Sequence, residues 1–213
     1  MKLYGYWRSS CSWRVRTALY LKGLVFESVP VHLVKDGGAQ NSAAYLRINP
    51  TGTVPLLEVI IDGETRWLAQ SMAIISYLEA IQPLPALFPP DAFLAAKARE
   101  LAEIVNSGIQ PFQNLSVLQY VKARHQDDKA WAQHWIARGL GALEKAATKT
   151  AGKYTVGDTV TVADLYLVPQ LYNARRFQLD LTPYPTLLRA EAACAALDAF
   201  AASHPDVQPD AEK

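Results

Sequence analysis

Between Gln82 and Pro90 the chain carries four of its 13 prolines, in the runs Gln82-Pro83-Leu84-Pro85 and Phe88-Pro89-Pro90. Each proline removes a backbone donor and fixes φ, so no regular helix or central strand runs through such a stretch. It reads as a stiff linker, and the chain before it differs in pattern from the chain after it. At 213 residues there is room for two modest domains, each burying a real core. We expect them to be residues 1–82 and 91–213, with 83–90 as the connection.

The first part alternates short strands with helices. Residues 3–7 read as a strand. Ser9 or Ser10 then caps a helix running to about Lys22, with Val15, Ala18 and Leu19 on one face and Gly23 as its stop. Residues 25–31 read as a second strand, parallel to the first because a helix separates them, and the crossover is expected to be right-handed. A Gly- and Asn-rich loop (36–42) and a short helix near 43–47 lead to the turn Asn49-Pro50-Thr51-Gly52-Thr53. Strands at 56–60 and 64–68 follow, joined at Asp62-Gly63, a strong hairpin signal. Ser71 opens the next helix, 72–81. The order β-α-β-α-β-β-α, with a turn proline before the third strand, is thioredoxin-like.

Beyond the linker every pattern is helical: 92 to about 124, 128–148, 161–177 and 186–203. Pro111 and Pro169 fall inside these patterns and are expected to bend them. Thr161 with Asp164, flanked by Val160 and Leu165, makes a capping box with its hydrophobic staple, a structural signal with no chemistry in it. The fold class expected is therefore an α/β thioredoxin-like N-terminal domain followed by an all-α C-terminal domain.

Bulk properties exclude several functions. Lys+Arg and Asp+Glu nearly cancel to a net charge of +1, and no like-charge run stands out, so no nucleic-acid partner is expected. The opening residues are too polar for a signal-peptide core, and no apolar run reaches the roughly 18 residues of a membrane helix, so no membrane association is expected. Cys11 and Cys194 make no disulfide framework, and reduced thiols in the cytoplasm are the expectation. His32, His125, His134 and His204 show no metal-ligand spacing, and no metal site is expected.

Ser9-Ser10-Cys11 sits where a strand ends and a helix begins. Backbone N–H groups and the positive end of the helix converge there and favour an anion, a bound thiolate included. Taken alone, these residues also read as an ordinary cap beside a packed cysteine. Cys11 is itself a candidate nucleophile, though no second cysteine stands three residues away and the Cys-x-x-Cys motif is absent. Val54-Pro55 precedes the third strand. Spacing alone favours a trans bond, whereas a thioredoxin-like frame favours cis, which turns the Val54 backbone outward to pair with a peptide ligand. Gln70-Ser71 opens a helix whose N-terminus suits a carboxylate, or is a plain cap. Gln110-Pro111-Phe112-Gln113-Asn114-Leu115-Ser116 is an amide-rich stretch beside an expected kink. Arg8 and the pair Arg175-Arg176 are candidate carboxylate clamps.

Taken together, these segments resemble the zeta class of glutathione transferases. The resemblance is carried by Ser9-Ser10-Cys11-Ser12-Trp13-Arg14-Val15-Arg16. It extends through Asn49-Pro50 to Val54-Pro55, Gln70-Ser71, Ile109-Gln110-Pro111 to Gln113-Asn114-Leu115-Ser116, and Val156-Gly157-Asp158. Ala163-Asp164-Leu165, Leu167-Val168-Pro169-Gln170 and Asp180-Leu181-Thr182-Pro183-Tyr184-Pro185 complete it. These cover nearly the whole chain in order.

The resemblance implies that Ser9, Ser10 and Cys11 surround the sulfur of glutathione as the catalytic group. It implies that Gln40, Val54, Gln70 and Ser71 hold the peptide and γ-glutamyl parts, with Gln110, Asn114 and Ser116 added from the helical part. Arg8 and Arg176 become the clamps for substrate carboxylates, with Arg175 as a competing choice. The implied activity is cis–trans isomerisation of maleylacetoacetate, a small unsaturated dicarboxylate, with glutathione as an unconsumed cofactor and a homodimer as the assembly. Alternatives are the same chemistry on maleylpyruvate, a general detoxifying transferase or haloacid dehalogenase, and a non-catalytic module that kept the fold. The uncharged 110–116 stretch favours maleylacetoacetate over maleylpyruvate.

Overall fold

Alternation along β1 (Lys2–Gly5) turns Leu3 and Gly5 into the interior. In the computed structural model, which describes residues 1–212, β1 is a central strand of a four-stranded sheet of order β2-β1-β3-β4. It pairs in parallel with β2 (Glu27–Pro30) and antiparallel with β3 (Leu56–Ile61), which pairs antiparallel with β4 (Glu64–Ala69). The β3–β4 turn has φ of 55° at Asp62 and 79° at Gly63. Positive φ at both central residues is what a two-residue primed turn requires.

Helix α1 (Ser10–Leu21) lies close on β1 because Gly5 has no side chain: a Cβ there would stand 3.1 Å from Ser12 Oγ. Helix α3 (Ser71–Ile81) packs beside α1, and Tyr45 of helix α2 (Ala43–Ile48) packs with Leu56, Tyr4 and Trp67 of the sheet. Leu3, Val15, Ala18, Leu19, Leu56, Leu57, Ile74, Ile75 and Leu78 are at most 1% exposed and form the core of this unit. Each large apolar side chain among them contributes about 1.5–3 kcal/mol by leaving water.

The chain divides into two compact units, one made of Met1–Pro85 with the chain from Asp198 onward, the other of Ala86–Leu197. The expected helical domain 91–213 is corrected here. Its last stretch, helix α9 (Asp198–Ser203) and the 3-10 turn Pro205–Val207, belongs to the sheet-containing unit. The reason is a set of buried polar bonds at Ser203. Its hydroxyl accepts from Trp13 Nε1 at 3.0 Å and pairs with Thr17 Oγ1 at 2.8 Å, and its carbonyl accepts from Arg16 Nε at 3.3 Å. Helical periodicity tells which face of a segment is buried but not which partner buries it.

The second unit holds α4 (Ala92–Gly108), α5 (Leu115–Lys122), α6 (Asp128–Ala147), α7 (Val162–Arg176) and α8 (Pro185–Ala195). The helix expected over 92–124 is broken. Ile109 leaves helical geometry at φ −122°, and Gln110–Gln113 form one 3-10 turn around Pro111, which has no N–H to continue the ladder. Asn114 then caps α5 by accepting from Ser116 N–H at 3.1 Å. Helix α7, by contrast, runs unbroken through Pro169. Its capping box forms, with Asp164 accepting from Thr161 N–H at 2.8 Å and from Thr155 N–H and Oγ1 at 3.0 and 2.7 Å. Burial pushes the Asp164 carboxyl up while those bonds pull it down.

Candidate functional site

Ser9 is the N-cap of α1, and its Oγ accepts from Ser12 N–H at 3.2 Å. That bond uses a lone pair and leaves the hydroxyl proton without an acceptor among the described residues. Ser10 opens the helix, is 7% exposed, and its hydroxyl has no partner among the described residues. Cys11 is a free, half-buried thiol on the same first turn. No acidic side chain occupies that turn, so nothing there offsets the positive helix end. Arg8 is half-buried and its guanidinium lies 5.1 Å from the Trp7 ring centroid.

Two arginines of α1 go fully inside. They sit two positions apart, on opposite sides of the helix, and α1 is covered on both sides, by α3 and α9. Arg14, at 0% exposure, donates to Ser71 Oγ at 3.3 Å and ties the start of α1 to the start of α3. Arg16 donates to the carbonyls of Tyr6 at 3.4 Å and Trp7 at 2.8 Å, besides that of Ser203. Burial lowers the Arg16 pKa to about 10, well above neutrality, so it stays charged.

Around this helix end the remaining candidates of the first unit offer unpaired polar groups. The Val54-Pro55 bond is cis, and Val54 is 9% exposed. Neither its N–H nor its C=O has a hydrogen-bond partner among the described residues. Gln40 donates to the Leu33 carbonyl at 3.2 Å and leaves its buried Oε1 without a partner. Gln70 caps α3 with φ at +73°. A non-glycine residue held there costs about 1–3 kcal/mol, and such strain concentrates at ligand-binding positions.

In the helical unit, Gln110 lies in the 3-10 turn, and Asn114 Oδ1 accepts from both Ser116 N–H (3.1 Å) and Ser116 Oγ (3.0 Å). The turn is pinned from two sides. Gln113 and Gln170 exchange amide bonds of 2.6 and 3.4 Å in the interior, and Trp131 Nε1 donates to the Phe112 carbonyl at 3.0 Å. Arg175 is held by both oxygens of Glu191 at 2.5 Å. Arg176 donates to Asn173 Oδ1 at 3.3 Å.

Residues 8–81 match the glutathione S-transferase N-terminal domain and residues 111–202 its C-terminal domain. The maleylacetoacetate isomerase of Rattus norvegicus is 51% identical, over 98% of this chain and 94% of its own. The chain belongs to the glutathione S-transferase family, in its zeta class. Among solved structures, maleylacetoacetate isomerase from Anaeromyxobacter dehalogenans 2CP-1 with glutathione bound in the active site is 55% identical, with a TM-score of 0.92 over 99% of this chain and 97% of that one. A second structure of that relative holds dicarboxyethyl glutathione and citrate, at 52% identity and a TM-score of 0.91 over 100% and 97% of the two chains. A bacterial maleylpyruvate isomerase, a glutathione S-transferase of the zeta class, is 44% identical with a TM-score of 0.92, covering 100% of both chains.

Among the described residues of this family member, no cluster of His, Cys, Asp and Glu could hold a metal ion, and no helix is long and apolar enough to cross a membrane. Sequence reasoning passed over Arg14 and Arg16, whose charges suggest a solvated face. The one clue was that α1 has no polar stripe into which both could fit. Gln170 and the C-terminal residues carried no local signal.

Proposed function

We propose that this chain is a glutathione-dependent cis–trans isomerase of maleylacetoacetate. The observation that carries the proposal is the Ser9-Ser10-Cys11 segment at the N-terminus of α1, with hydroxyl protons that lack acceptors and no acidic residue in the turn. The unit also suits a tripeptide. Val54 offers a free N–H and C=O, as in strand addition, and Gln40 a buried acceptor for a peptide N–H. Bound glutathione supplies a thiolate that adds reversibly to the conjugated double bond, so that rotation and release return the trans alkene and the cofactor unchanged.

Of the three residues at the helix end, Ser9 is the best-placed donor to that thiolate. Its oxygen is oriented by the Ser12 N–H, and its proton remains available to a ligand. Ser10 and Cys11 line the same turn. Gln70 and Ser71, at the α3 terminus, are assigned to the γ-glutamyl carboxylate. Gln110, Asn114 and Ser116 of the helical unit are assigned to glutathione as well. Arg8 and Arg176 are assigned to the substrate carboxylates, where charge grows as the double bond is attacked. Arg175 is set aside because Glu191 already neutralises it.

We further infer a homodimer, on the family resemblance, and a reducing, cytosolic setting, which two free cysteines and the use of glutathione support. The test is turnover of maleylacetoacetate and of maleylpyruvate, with and without glutathione. Dependence on glutathione with a higher kcat/KM for maleylacetoacetate is expected. A large preference for maleylpyruvate, the substrate of the 44%-identical relative, would assign the second reading instead.

A further inference from the structure

Asp210 and, through Arg16, Ser203 bring polar bonds to one place, the turn between β1 and α1. Asp210 Oδ2 accepts from the Trp7 backbone N–H at 3.0 Å. Arg16 holds the other side of the same peptide segment through the carbonyls of Tyr6 and Trp7, and is itself fixed by the Ser203 carbonyl. Ala211 packs on the small apolar cluster formed by Tyr6, Trp7, Val31, Tyr45, Val54 and Leu56. Glu212 pairs with His32 Nε2 at 3.0 Å and with Lys35 Nζ, at the mouth of the loop that carries Gln40.

Trp7 is followed directly by Arg8 and Ser9, and it lies past the end of β1, where no strand neighbour can take its N–H. A buried backbone donor needs an acceptor, and here a side chain 203 positions away in sequence provides it. The cluster under Ala211 includes Val54, whose backbone N–H and C=O are the unpaired ones. The C-terminal segment thus bonds one piece of backbone assigned to glutathione and packs on the apolar cluster that includes the other.

We infer that Asp210 is a positioning residue of the thiolate site, acting through its bond to the Trp7 backbone. Its carboxylate sets the path of Trp7-Arg8-Ser9, and with it the direction of the Ser9 hydroxyl and of the first free N–H groups of α1. This rests on the reading of the helix end as the glutathione site. The segment is neither a tether nor a tail: removing its one bond to Trp7 misaligns donors that must meet a sulfur within a few tenths of an ångström.

Asp210→Ala, Asp210→Asn and Asp210→Glu test this on the full-length chain, with Asp206→Asn, on the exposed side of the same segment, as control. Circular dichroism checks the fold, equilibrium binding gives the glutathione affinity, and ultraviolet absorbance gives the thiolate fraction of bound glutathione. For Asp210→Ala we expect a lower bound-thiolate fraction and a kcat down by on the order of tenfold to a hundredfold, with the KM for the dicarboxylate less affected. Asp210→Asn keeps an oxygen acceptor and restores most of the thiolate fraction, while Asp210→Glu, longer by a methylene, does not. Asp206→Asn matches the parent.

A folded Asp210→Ala or Asp210→Glu with parental thiolate fraction and kcat overturns the inference. If Asp210→Ala fails to fold, the comparison of the Glu and Asn variants decides by the same criterion. A parent that does not bind glutathione overturns the underlying reading instead, which binding to the unsubstituted chain shows first.

Discussion

Arg14 and Ser71 are joined by a hydrogen bond of 3.3 Å between two side chains that are each at least 96% buried, and the bond links the N-terminal ends of α1 and α3. These are the two helix ends that we assign to the thiolate and to the γ-glutamyl carboxylate. Ser71→Ala removes one acceptor from a buried guanidinium, and hydrogen bonds to charged groups contribute about 1.5–3 kcal/mol. We expect a loss of stability of that order in denaturant unfolding. The KM for glutathione should rise more than kcat falls, since the bond positions the cofactor's remote end. A normal KM for glutathione would remove Ser71 from the site.

Ser9 has two separable tasks. As N-cap, its replacement by alanine costs about 1 kcal/mol of stability. As donor to the thiolate, its loss lowers kcat by about 10²–10³-fold, the scale for removing one preorganised donor. Ser9→Thr keeps both the cap and the proton and should retain most of the activity. Ser10→Ala and Cys11→Ala should each leave substantial turnover. Steady-state kinetics on the four variants ranks the donors, and abolition by Cys11→Ala alone would point to a cysteine-centred mechanism.

The amide pair of Gln113 and Gln170 should behave as a unit. Gln170→Leu leaves the Gln113 amide buried and unpaired, at a cost of about 1–3 kcal/mol, and Gln113→Leu does the same to Gln170. The double Leu variant has no orphan and should be less destabilised than the sum of the singles. A double-mutant cycle by chemical denaturation measures the coupling, and strict additivity would show that the pair is not cooperative.

Arg175 and Arg176 are neighbours with opposite expectations. The Arg175–Glu191 pair is half exposed on the arginine side, at 49%, and exposed pairs contribute only about 0.2–1 kcal/mol. Arg175→Ala should therefore leave turnover near normal. Arg176→Ala should raise KM for the dicarboxylate more than for glutathione. Equal effects on both would withdraw its role as a clamp.

The two cysteines should differ sharply in reactivity. Cys194 is at 0% exposure, and burial pushes its thiol well above the ordinary range, so it stays protonated and shielded near neutral pH. Cys11 is half-buried on an accessible helix end. Brief alkylation of the folded protein followed by mass spectrometry should label Cys11 alone, and saturating glutathione should slow that labelling.

Local signals in the chain were enough for most of the architecture. Asp62-Gly63 specified a hairpin because few residues tolerate positive φ twice in succession. Thr161 and Asp164 specified a helix start because a capping box is a contact between near neighbours. The signature Ser9-Ser10-Cys11 could be placed at a strand-to-helix junction from the pattern on either side of it.

What stayed illegible shares one physical cause: its partners lie far apart in sequence. That α9 serves the sheet-containing unit rests on Ser203 bonding to Trp13 and Thr17, and an amphipathic segment does not name the surface that will cover it. The packing of Ile109 against Gly139, where a Cβ would meet the Ile109 side chain, likewise joins residues 30 positions apart. The buried stations of Arg14 and Arg16 depended on carbonyls and a hydroxyl brought in by three separate elements. Propensity and periodicity settle what each segment becomes, while burial, paid out over contacts between distant segments, settles which polar groups end up aligned at one helix end.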